Sequence, residues 1–418
     1  MSNTTGLVVL AGALLVSGCK KAEPPATGSS SPAAGGGAPA ASATPGVTAT
    51  EIKIGQTMPY SGPASAYAVI GKTEVAYFKM INERGGIKGR KLALLSLDDG
   101  YAPPKAVEAT RKLVESDGVA FLFGSVGTPS NSAVRAYLND HKVPQLFIAT
   151  GADKWADPAH FPWTIGWQPS YRTEARVYAR YVLKEKPAAK MCVLYQNDDF
   201  GKDYLAGLKD GFGDQYDKIV IKALSYEVTD PTVDSQIVTL QGAGCDTFLS
   251  ATTPKFGANA IRKVADIGWK PLFFLSNVSA SITAVLAPAG LDKSTGLITG
   301  QFLKDNSDPS VANDPEMNEY RAFMKQYAPD LDPNDVNTAV GYSEAANLVY
   351  VLTQCGDDLS RDNIMKQAAS LKDYKVLLAI DGVTITTSAT DFKPITQMRL
   401  AKFNGKSYEA FGELISGD

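Results

Sequence analysis

Short apolar runs alternate with amphipathic stretches along most of this 418-residue chain. The runs have the length of buried β-strands, about four to eight residues, and the stretches between them show the apolar spacing of helices. Such alternation is typical of βαβ units, in which parallel strands form a sheet that helices cover on both faces. The pattern therefore predicts an α/β protein with doubly wound, Rossmann-like sheets.

The alternation forms two successive series and a different third portion. The first series has strands at 52–58, 92–97, 120–123 and 145–149, and helices at 71–84, 105–116 and 130–141. The second has strands at 191–195, 219–224, 247–251 and 271–275, and helices at 173–184, 201–212, 233–241 and 258–267. The third has a strand at 297–302, helices at 315–327 and 334–355, and short β segments at 383–387, 398–403 and 408–411.

The folded part of the chain is too long for one hydrophobic core. About 370 residues remain once the N-terminal segments described next are set aside, whereas single cores stop growing at roughly 250 to 300 residues. We therefore expect two lobes that the chain joins by crossing between them more than once. The predicted first lobe comprises residues 48–166 plus 301–377, and the second comprises residues 167–300 plus 378–418.

The N-terminal region predicts export and anchoring. Residues 6–16 form an apolar run that is too short to cross a bilayer. The sequence Val16-Ser-Gly-Cys19 that ends this region resembles a lipobox, which makes residues 1–19 a lipoprotein signal peptide and Cys19 the lipidated residue. The alternative is a cleaved secretory peptide with an incidental cysteine. Residues 20–47 are rich in Pro, Ala, Gly and Ser, which predicts a disordered linker.

The remaining cysteines give little information about disulfide bonding. Cys192, Cys245 and Cys355 are an odd number, so at most one disulfide can form among them. Cys192 and Cys245 lie at the starts of two apolar runs that could form neighbouring strands. Buried free cysteine is nevertheless the expectation, because the sequence gives no separation between the two Cα atoms.

The composition offers few groups for catalysis or for nucleic-acid binding. Only two histidines occur, His141 and His160, and neither lies in a catalytic or metal-binding motif. Walker-type and Gly-x-Gly-x-x-Gly phosphate motifs are absent from the sequence, and the formal net charge is only −3. We therefore expect no enzymatic activity, no metal, no cofactor and no nucleic-acid partner.

Polar loops follow several of the predicted strands. Ligands bind in open α/β sheets outside the carboxyl ends of the strands, where hydroxyls and helix N-termini can hold a small carboxylate. The loops are Pro59-Tyr-Ser-Gly-Pro, Gly124-Ser-Val-Gly-Thr-Pro-Ser, Ala149-Thr-Gly-Ala-Asp, Asn197-Asp-Asp-Phe-Gly, Ala251-Thr-Thr-Pro-Lys and Ser276-Asn-Val-Ser. Six such loops on two lobes predict a ligand cleft. The acidic pairs Asp98-Asp99 and Asp198-Asp199 in the same region favour helix capping over direct ligand contact.

The loops and their flanking motifs are similar to those of the Leu/Ile/Val-binding family of type I periplasmic binding proteins. The resemblance covers essentially the whole chain from about residue 50. Its motifs are Ile52-Lys-Ile-Gly-Gln-Thr with Ser61-Gly-Pro, Ile81-Asn-Glu-Arg-Gly-Gly-Ile-Lys-Gly-Arg, and Asp98-Asp99 with Pro104-Lys-Ala-Val. It implies the type I fold and the solute-binding component of an ABC importer.

The resemblance also implies a set of ligand-binding residues. Tyr67 matches an aromatic residue that covers the ligand, and Thr128 falls at or next to the hydroxyl that holds the ligand carboxylate. Phe200 resembles a cleft aromatic, and Thr253 stands where the family often has tyrosine. The full set is Tyr67, Ser125, Thr128, Ala149, Thr150, Gly151, Phe200, Thr253 and Asn277.

Asn277 is the important departure from the family pattern. It stands where amino-acid binders place the acidic residue that pairs with the ligand ammonium, and Asp153 is the candidate substitute. The resemblance therefore implies a hydrophobic or aromatic carboxylate, or a branched-chain amino acid, as the solute. The expected partners are a permease and an ATPase subunit, with a monomeric, membrane-anchored protein outside the cytoplasm. The alternatives are a sensory binding protein for amides or urea, and an exported α/β hydrolase that uses Ser125 or Thr128.

Overall fold

The structure is a computed structural model that describes residues 44–416. The lipobox with Cys19 and most of the linker lie outside these residues. Within 44–416, no helix is both long enough and apolar enough to cross a membrane.

Two sheets dominate the architecture. The strands are β1 (Glu51–Met58), β2 (Lys91–Asp98), β3 (Phe121–Phe123), β4 (Gln145–Ile148), β5 (Thr164–Gly166), β6 (Met191–Gln196), β7 (Val220–Tyr226), β8 (Thr247–Ala251), β9 (Leu272–Leu275), β10 (Ile298–Gln301), β11 (Tyr374–Lys375), β12 (Thr384–Ile385), β13 (Gln397–Phe403) and β14 (Tyr408–Ser416). The first sheet is parallel with the order β2-β1-β3-β4-β5. The second has the order β14-β13-β10-β9-β8-β6-β7, in which β13 and β14 are antiparallel to their neighbours.

Helices connect the strands. They are α1 (Ala68–Glu83), α2 (Pro103–Arg111), α3 (Thr128–Asp140), α4 (Tyr171–Glu185), α5 (Asp199–Phe212), α6 (Tyr216–Ile219), α7 (Asp234–Gly242), α8 (Pro254–Asp266), α9 (Ala287–Ala289), α10 (Leu291–Ser294), α11 (Pro315–Tyr327), α12 (Val336–Gln354) and α13 (Arg361–Ala368). Single π turns extend α2 over Lys112–Ser116 and precede α9 over Ile282–Leu286. The predicted helices agree with these bounds to within a few residues. The strands β5 and β11 and the helices α6, α9, α10 and α13 were not predicted.

Both faces of each sheet are buried, as the doubly wound prediction requires. In β3, Phe121 and Phe123 belong to one hydrophobic cluster and Leu122 belongs to another. In β6, Cys192 and Leu194 face one cluster while Met191 and Val193 face another. Successive side chains of a strand point to opposite faces, so the two clusters lie on opposite sides of the sheet.

The chain crosses between the lobes three times. The crossings follow β5, follow β10, and precede β13. The segment from Leu378 to Ile395 packs into the hydrophobic core of the first lobe, although the sequence division had placed residues 378–418 in the second. Of residues 378–418, only the hairpin β13–β14 joins the second sheet. The predicted segment at 383–387 carries no local pattern that identifies its partner, so it was assigned to the same lobe as the hairpin that follows it.

A disulfide replaces the expected free cysteines. Cys192 on β6 and Cys245 just before β8 are bonded, with their Cα atoms 5.8 Å apart. Cys355 is free and buried. Because the bond closes a chain segment with a sequence separation of 53 residues, the loss of unfolded-state entropy favours the folded protein by about 4 kcal/mol. The expectation of free cysteines was wrong because β6 and β8 are adjacent in the sheet. The sequence alone did not show which strands are neighbours.

Candidate functional site

A cleft lies between the two lobes and contains ≈ 920 Å³ of empty space, a figure that includes its mouth. Much of its wall is aliphatic, and aromatic rings enclose it from both lobes. The aliphatic residues are Ile70, Val126, Val278, Ile282, Leu303, Val336 and Val340, and the aromatic residues include Tyr67, Tyr101, Tyr171, Phe200 and Phe302. Such a wall favours a ligand with an apolar body.

Three hydroxyl groups form a chain at one side of the cleft. Tyr171 donates a hydrogen bond to Thr150 Oγ1 over 3.1 Å, and the hydroxyls of Thr150 and Thr128 are 2.5 Å apart. Burial raises the pKa of Tyr171 to about 12, so this phenol remains a donor at neutral pH. Two internal bonds use two of the three hydroxyl protons. One Thr proton is therefore left to donate to an acceptor in the cleft.

The N-terminus of α3 lies beside this hydroxyl chain. Thr128 is the first residue of the helix, and the turn before it requires Gly127, which has φ 105°. A Cβ atom on Gly127 would lie 2.8 Å from the Tyr101 ring. The first-turn N–H groups of a helix have no partner within the helix, and they favour an anion. The hydroxyl chain and this helix end together can hold a carboxylate.

The other side of the cleft offers an amide and one carboxylate that is already hydrogen-bonded. Asn277 lines the second lobe, and its Nδ2 is a buried donor that has no acceptor within residues 44–416. Asp305 is the acidic residue of the lining, but one of its oxygens accepts from Ser307 N and Oγ and the other from Tyr408 N. No side chain of the described lining thus presents an unengaged carboxylate to a ligand ammonium.

Hydrogen bonds across the cleft hold the lobes together in a closed arrangement. Tyr67 of the first lobe donates to the Val278 carbonyl oxygen of the second over 3.0 Å. Ser281 donates to Asp335 over 2.9 Å. An ion pair of 2.8 Å joins Lys154 to Asp199 at the rim. These contacts bring the polar loops of two facing doubly wound lobes around one solute-sized cavity.

The match of the sequence to known proteins agrees with this geometry. A family model described as periplasmic binding protein matches residues 51–408. The chain belongs to the periplasmic binding protein family. The predicted family resemblance and type I fold are confirmed, and the family comprises solute-binding proteins rather than enzymes. This is a periplasmic, extracytoplasmic binding protein of the type that serves ABC transport.

Three similar proteins each cover more than four fifths of the chain. It is 28% identical over 351 residues to Leu/Ile/Val-binding protein homolog 3 of Brucella melitensis biotype 1, covering 81% of this chain and 88% of that protein. A branched-chain amino acid ABC transporter structure from Thermus thermophilus with bound valine has a TM-score of 0.79 at 16% identity, covering 88% and 97% of the two chains. An R. palustris solute binding protein in complex with benzoate has a TM-score of 0.73 at 19% identity, covering 88% and 98%.

Most of the predicted site residues of this periplasmic binding protein line the cleft. They are Tyr67, Thr128, Ala149, Thr150, Phe200, Thr253 and Asn277. Ser125 does not, because its hydroxyl accepts a hydrogen bond from Thr57 N and its carbonyl oxygen accepts from Asn131. Gly151 lies at the lobe boundary instead, where its carbonyl oxygen accepts from Tyr171 N over 2.7 Å. A Cβ atom there would lie 2.3 Å from the Pro169 carbonyl oxygen, so the close approach of the two lobes requires glycine.

Several cleft residues were missed by sequence reasoning. Tyr101 follows the Asp98-Asp99-Gly100 loop and has φ 61°, held by a hydrogen bond from its N–H to Asp99 Oδ1. An aromatic residue directly after this polar loop was a usable signal. Tyr171, Gln168 and Gln301 lie at the lobe crossings, where no strand-end motif marks them. Asn337 near the start of α12 was likewise missed.

The residues that sequence analysis set aside as non-catalytic have structural contacts. His160 is exposed and pairs with Asp157, and the His141 ring contacts the Tyr137 carbonyl oxygen one turn earlier. Asp198 caps α5, as predicted, whereas neither Asp98 nor Asp99 caps α2, whose N-cap residue is Ala102. The described residues contain no group of three or more His, Cys, Asp or Glu side chains arranged to hold a metal ion.

Proposed function

We propose that this protein is the lipid-anchored solute-binding component of an ABC importer and that it closes on a hydrophobic or aromatic carboxylate. One observation supports the solute class above all. The apolar cleft has hydroxyl donors and a helix N-terminus at one side, and an amide at the position where amino-acid binders carry a carboxylate. A carboxylate with an apolar body satisfies the donors without bringing an ammonium group into the cleft.

The charge balance of the cleft argues against an α-amino acid. A buried ammonium without an anionic partner loses several kcal/mol of stabilisation. Asp153 was the candidate substitute, but it is absent from the cleft lining. Its carboxylate accepts from Ser170 over 2.8 Å and lies 3.7 Å from Arg172. Asp153 is therefore already compensated at the lobe boundary.

A branched-chain amino acid is the second candidate. The Brucella relative is named for Leu/Ile/Val, and the Thermus neighbour holds valine, whereas the R. palustris neighbour holds benzoate. The two candidates differ in one respect, which is whether the solute carries an ammonium group. A test that changes only this group therefore decides between them.

The test compares leucine with 4-methylpentanoate, which has the same carbon skeleton and lacks only the ammonium. We expect 4-methylpentanoate to bind at least about tenfold more tightly, since a tenfold difference requires only ~1.4 kcal/mol. Isothermal titration calorimetry of the purified protein measures both affinities, with phenylalanine and 3-phenylpropanoate as a second matched pair. Tighter binding of the zwitterion in both pairs would establish the amino-acid alternative.

The lipid anchor rests on the lipobox sequence. In Cys19→Ala we expect export to continue and the protein to leave the membrane fraction, because the acceptor of the lipid is gone. Cell fractionation with immunoblotting measures this, and Cys355→Ala serves as a cysteine control. Retention of the Cys19→Ala protein in the membrane would show that another segment anchors it.

Closure connects solute binding to transport in this proposal. A solute that contacts both lobes stabilises the closed form by its differential affinity, and the closed form presents surfaces of both lobes to a permease. ATP hydrolysis then belongs to a separate subunit. The protein acts as a monomer that makes and breaks no covalent bond.

A further inference from the structure

A fully buried carboxylate lies behind the second-lobe wall of the cleft. Glu174 on α4 has no exposed surface and is not part of the cleft lining. One carboxylate oxygen accepts from Asn277 N over 2.9 Å and from the Tyr178 hydroxyl. The other accepts from the Tyr204 hydroxyl over 2.7 Å. Three donors from three separate segments thus converge on one acidic group, which we call the Glu174 network.

Each donor of the Glu174 network is connected to a part of the cleft wall. Asn277 is itself a lining residue. The Tyr178 hydroxyl also accepts from Gly300 N over 2.9 Å, and Gly300 lines the cleft on β10. The Tyr204 ring stacks on Tyr171 with centroids 5.5 Å apart. Tyr171 is the phenol that begins the hydroxyl chain.

The arrangement depends on the charge of the carboxylate. An ionised carboxylate accepts all three hydrogen bonds, whereas a protonated one has a donor of its own and fewer lone pairs to offer. Burial raises the pKa of Glu174 to about 7, against the opposing effect of the three hydrogen bonds. Its titratable neighbours are Tyr178 and Tyr204, whose pKa values burial and the Glu174 charge raise well above the usual range. The 275–279 loop and β10 contain no titratable side chain.

We infer that Glu174 is a positioning residue, whose ionised carboxylate holds Asn277, Gly300 and Tyr171 in the arrangement that binds the solute. It acts through these neighbours without touching the solute. The binding test of this role rests on the proposed function, whereas the structural test depends only on the geometry.

The structural test needs no ligand. In the ligand-free protein we expect the backbone amide proton of Asn277 to shift with pH with a midpoint near the Glu174 pKa of about 7, because its acceptor gains or loses a charge 2.9 Å away. NMR of isotope-labelled wild-type protein between about pH 5.5 and 8.5 measures the shift. An Asn277 amide shift that is the same in wild type and in folded Glu174→Gln at pH 8.5 would overturn the inference, whatever the solute proves to be.

The binding test uses Glu174→Gln with benzoate as the probe. We expect about tenfold weaker binding than wild type at pH 8, the effect of one weakened charge-assisted hydrogen bond, and nearly equal binding at pH 6. Asp203 at the lobe boundary also has a pKa raised to about 7, but it is present in both proteins, so their affinity ratio isolates Glu174.

The matched control is Glu344→Gln. Glu344 on α12 is equally buried and has no hydrogen-bond partner within residues 44–416. We expect this variant to bind benzoate like wild type at both pH values. Equal affinity of wild type and folded Glu174→Gln at pH 8 would overturn the positioning role. If wild type binds none of benzoate, 4-methylpentanoate and 3-phenylpropanoate, the proposed solute class fails, and the amide titration still decides the role of Glu174.

Discussion

Asn277→Asp is expected to reverse the solute preference from carboxylates to amino acids. The new carboxylate would stand at a cleft position where Nδ2 now has no acceptor among the described residues, and it would pair with a ligand ammonium. It would also repel an approaching carboxylate and lose hydration without gaining a partner. Since a hydrogen bond between charged groups contributes ~1.5–3 kcal/mol, we expect the leucine to 4-methylpentanoate affinity ratio to rise by about a hundredfold.

Calorimetric titration of both ligands at pH 8 measures this ratio. Asn277→Ala is the matched control, because it removes the amide without adding a charge, and we expect it to change the ratio by less than about threefold. The high pH matters because the Asn277 N–H already bonds the Glu174 carboxylate, and a second carboxylate nearby raises the pKa of both. An unchanged ratio in Asn277→Asp would mean that the ammonium position lies elsewhere in the cleft.

Thr128→Val is expected to weaken carboxylate binding by about a hundredfold. Valine keeps the shape of threonine and removes the hydroxyl at the first residue of α3, so the donor at the helix N-terminus is lost and only the Thr150 proton remains nearby. A lost hydrogen bond to a charged acceptor contributes ~1.5–3 kcal/mol. Titration of 4-methylpentanoate measures the loss, and thermal unfolding of the free protein shows that the fold persists.

Thr110→Val is the control for this substitution. Thr110 is a fully buried threonine on α2, outside the cleft lining, and its hydroxyl has no partner within residues 44–416. We expect it to leave binding unchanged. Comparable losses in the two variants would indicate a general packing effect, and full affinity in Thr128→Val would place the carboxylate elsewhere.

The elements could be predicted where the local pattern was strong. The strands of both sheets other than β5, and the long helices α11 and α12, follow directly from apolar periodicity, because their buried faces need a regular apolar spacing. The two-residue strand β11 was not predicted, and its partner β12 was predicted only within the longer segment 383–387. Their pairing at Tyr374 with Ile385 depends on the first-lobe core that surrounds them, and two residues carry no period.

The candidate site was predictable in part. Thr128, Thr150 and Asn277 follow strands, and the carboxyl ends of parallel strands meet at one edge of a sheet. Tyr171 and Gln168 follow a lobe crossing, and they line the cleft because the second lobe faces the first across it. Glu174 lies one turn further along α4 and appears in sequence as an ordinary helix residue.

The sequence by itself determined the two doubly wound lobes, five of the six predicted cleft loops and the amide at position 277, because each depends on local periodicity or on a motif at a strand end; the loop at Pro59 contributes no residue to the lining. Only the tertiary structure decided the disulfide between Cys192 and Cys245, the first-lobe packing of the segment from Leu378 to Ile395, and the convergence of three donors on Glu174. These features join residues that are distant in sequence. Their formation depends on which elements become neighbours in space, and no local pattern encodes that choice.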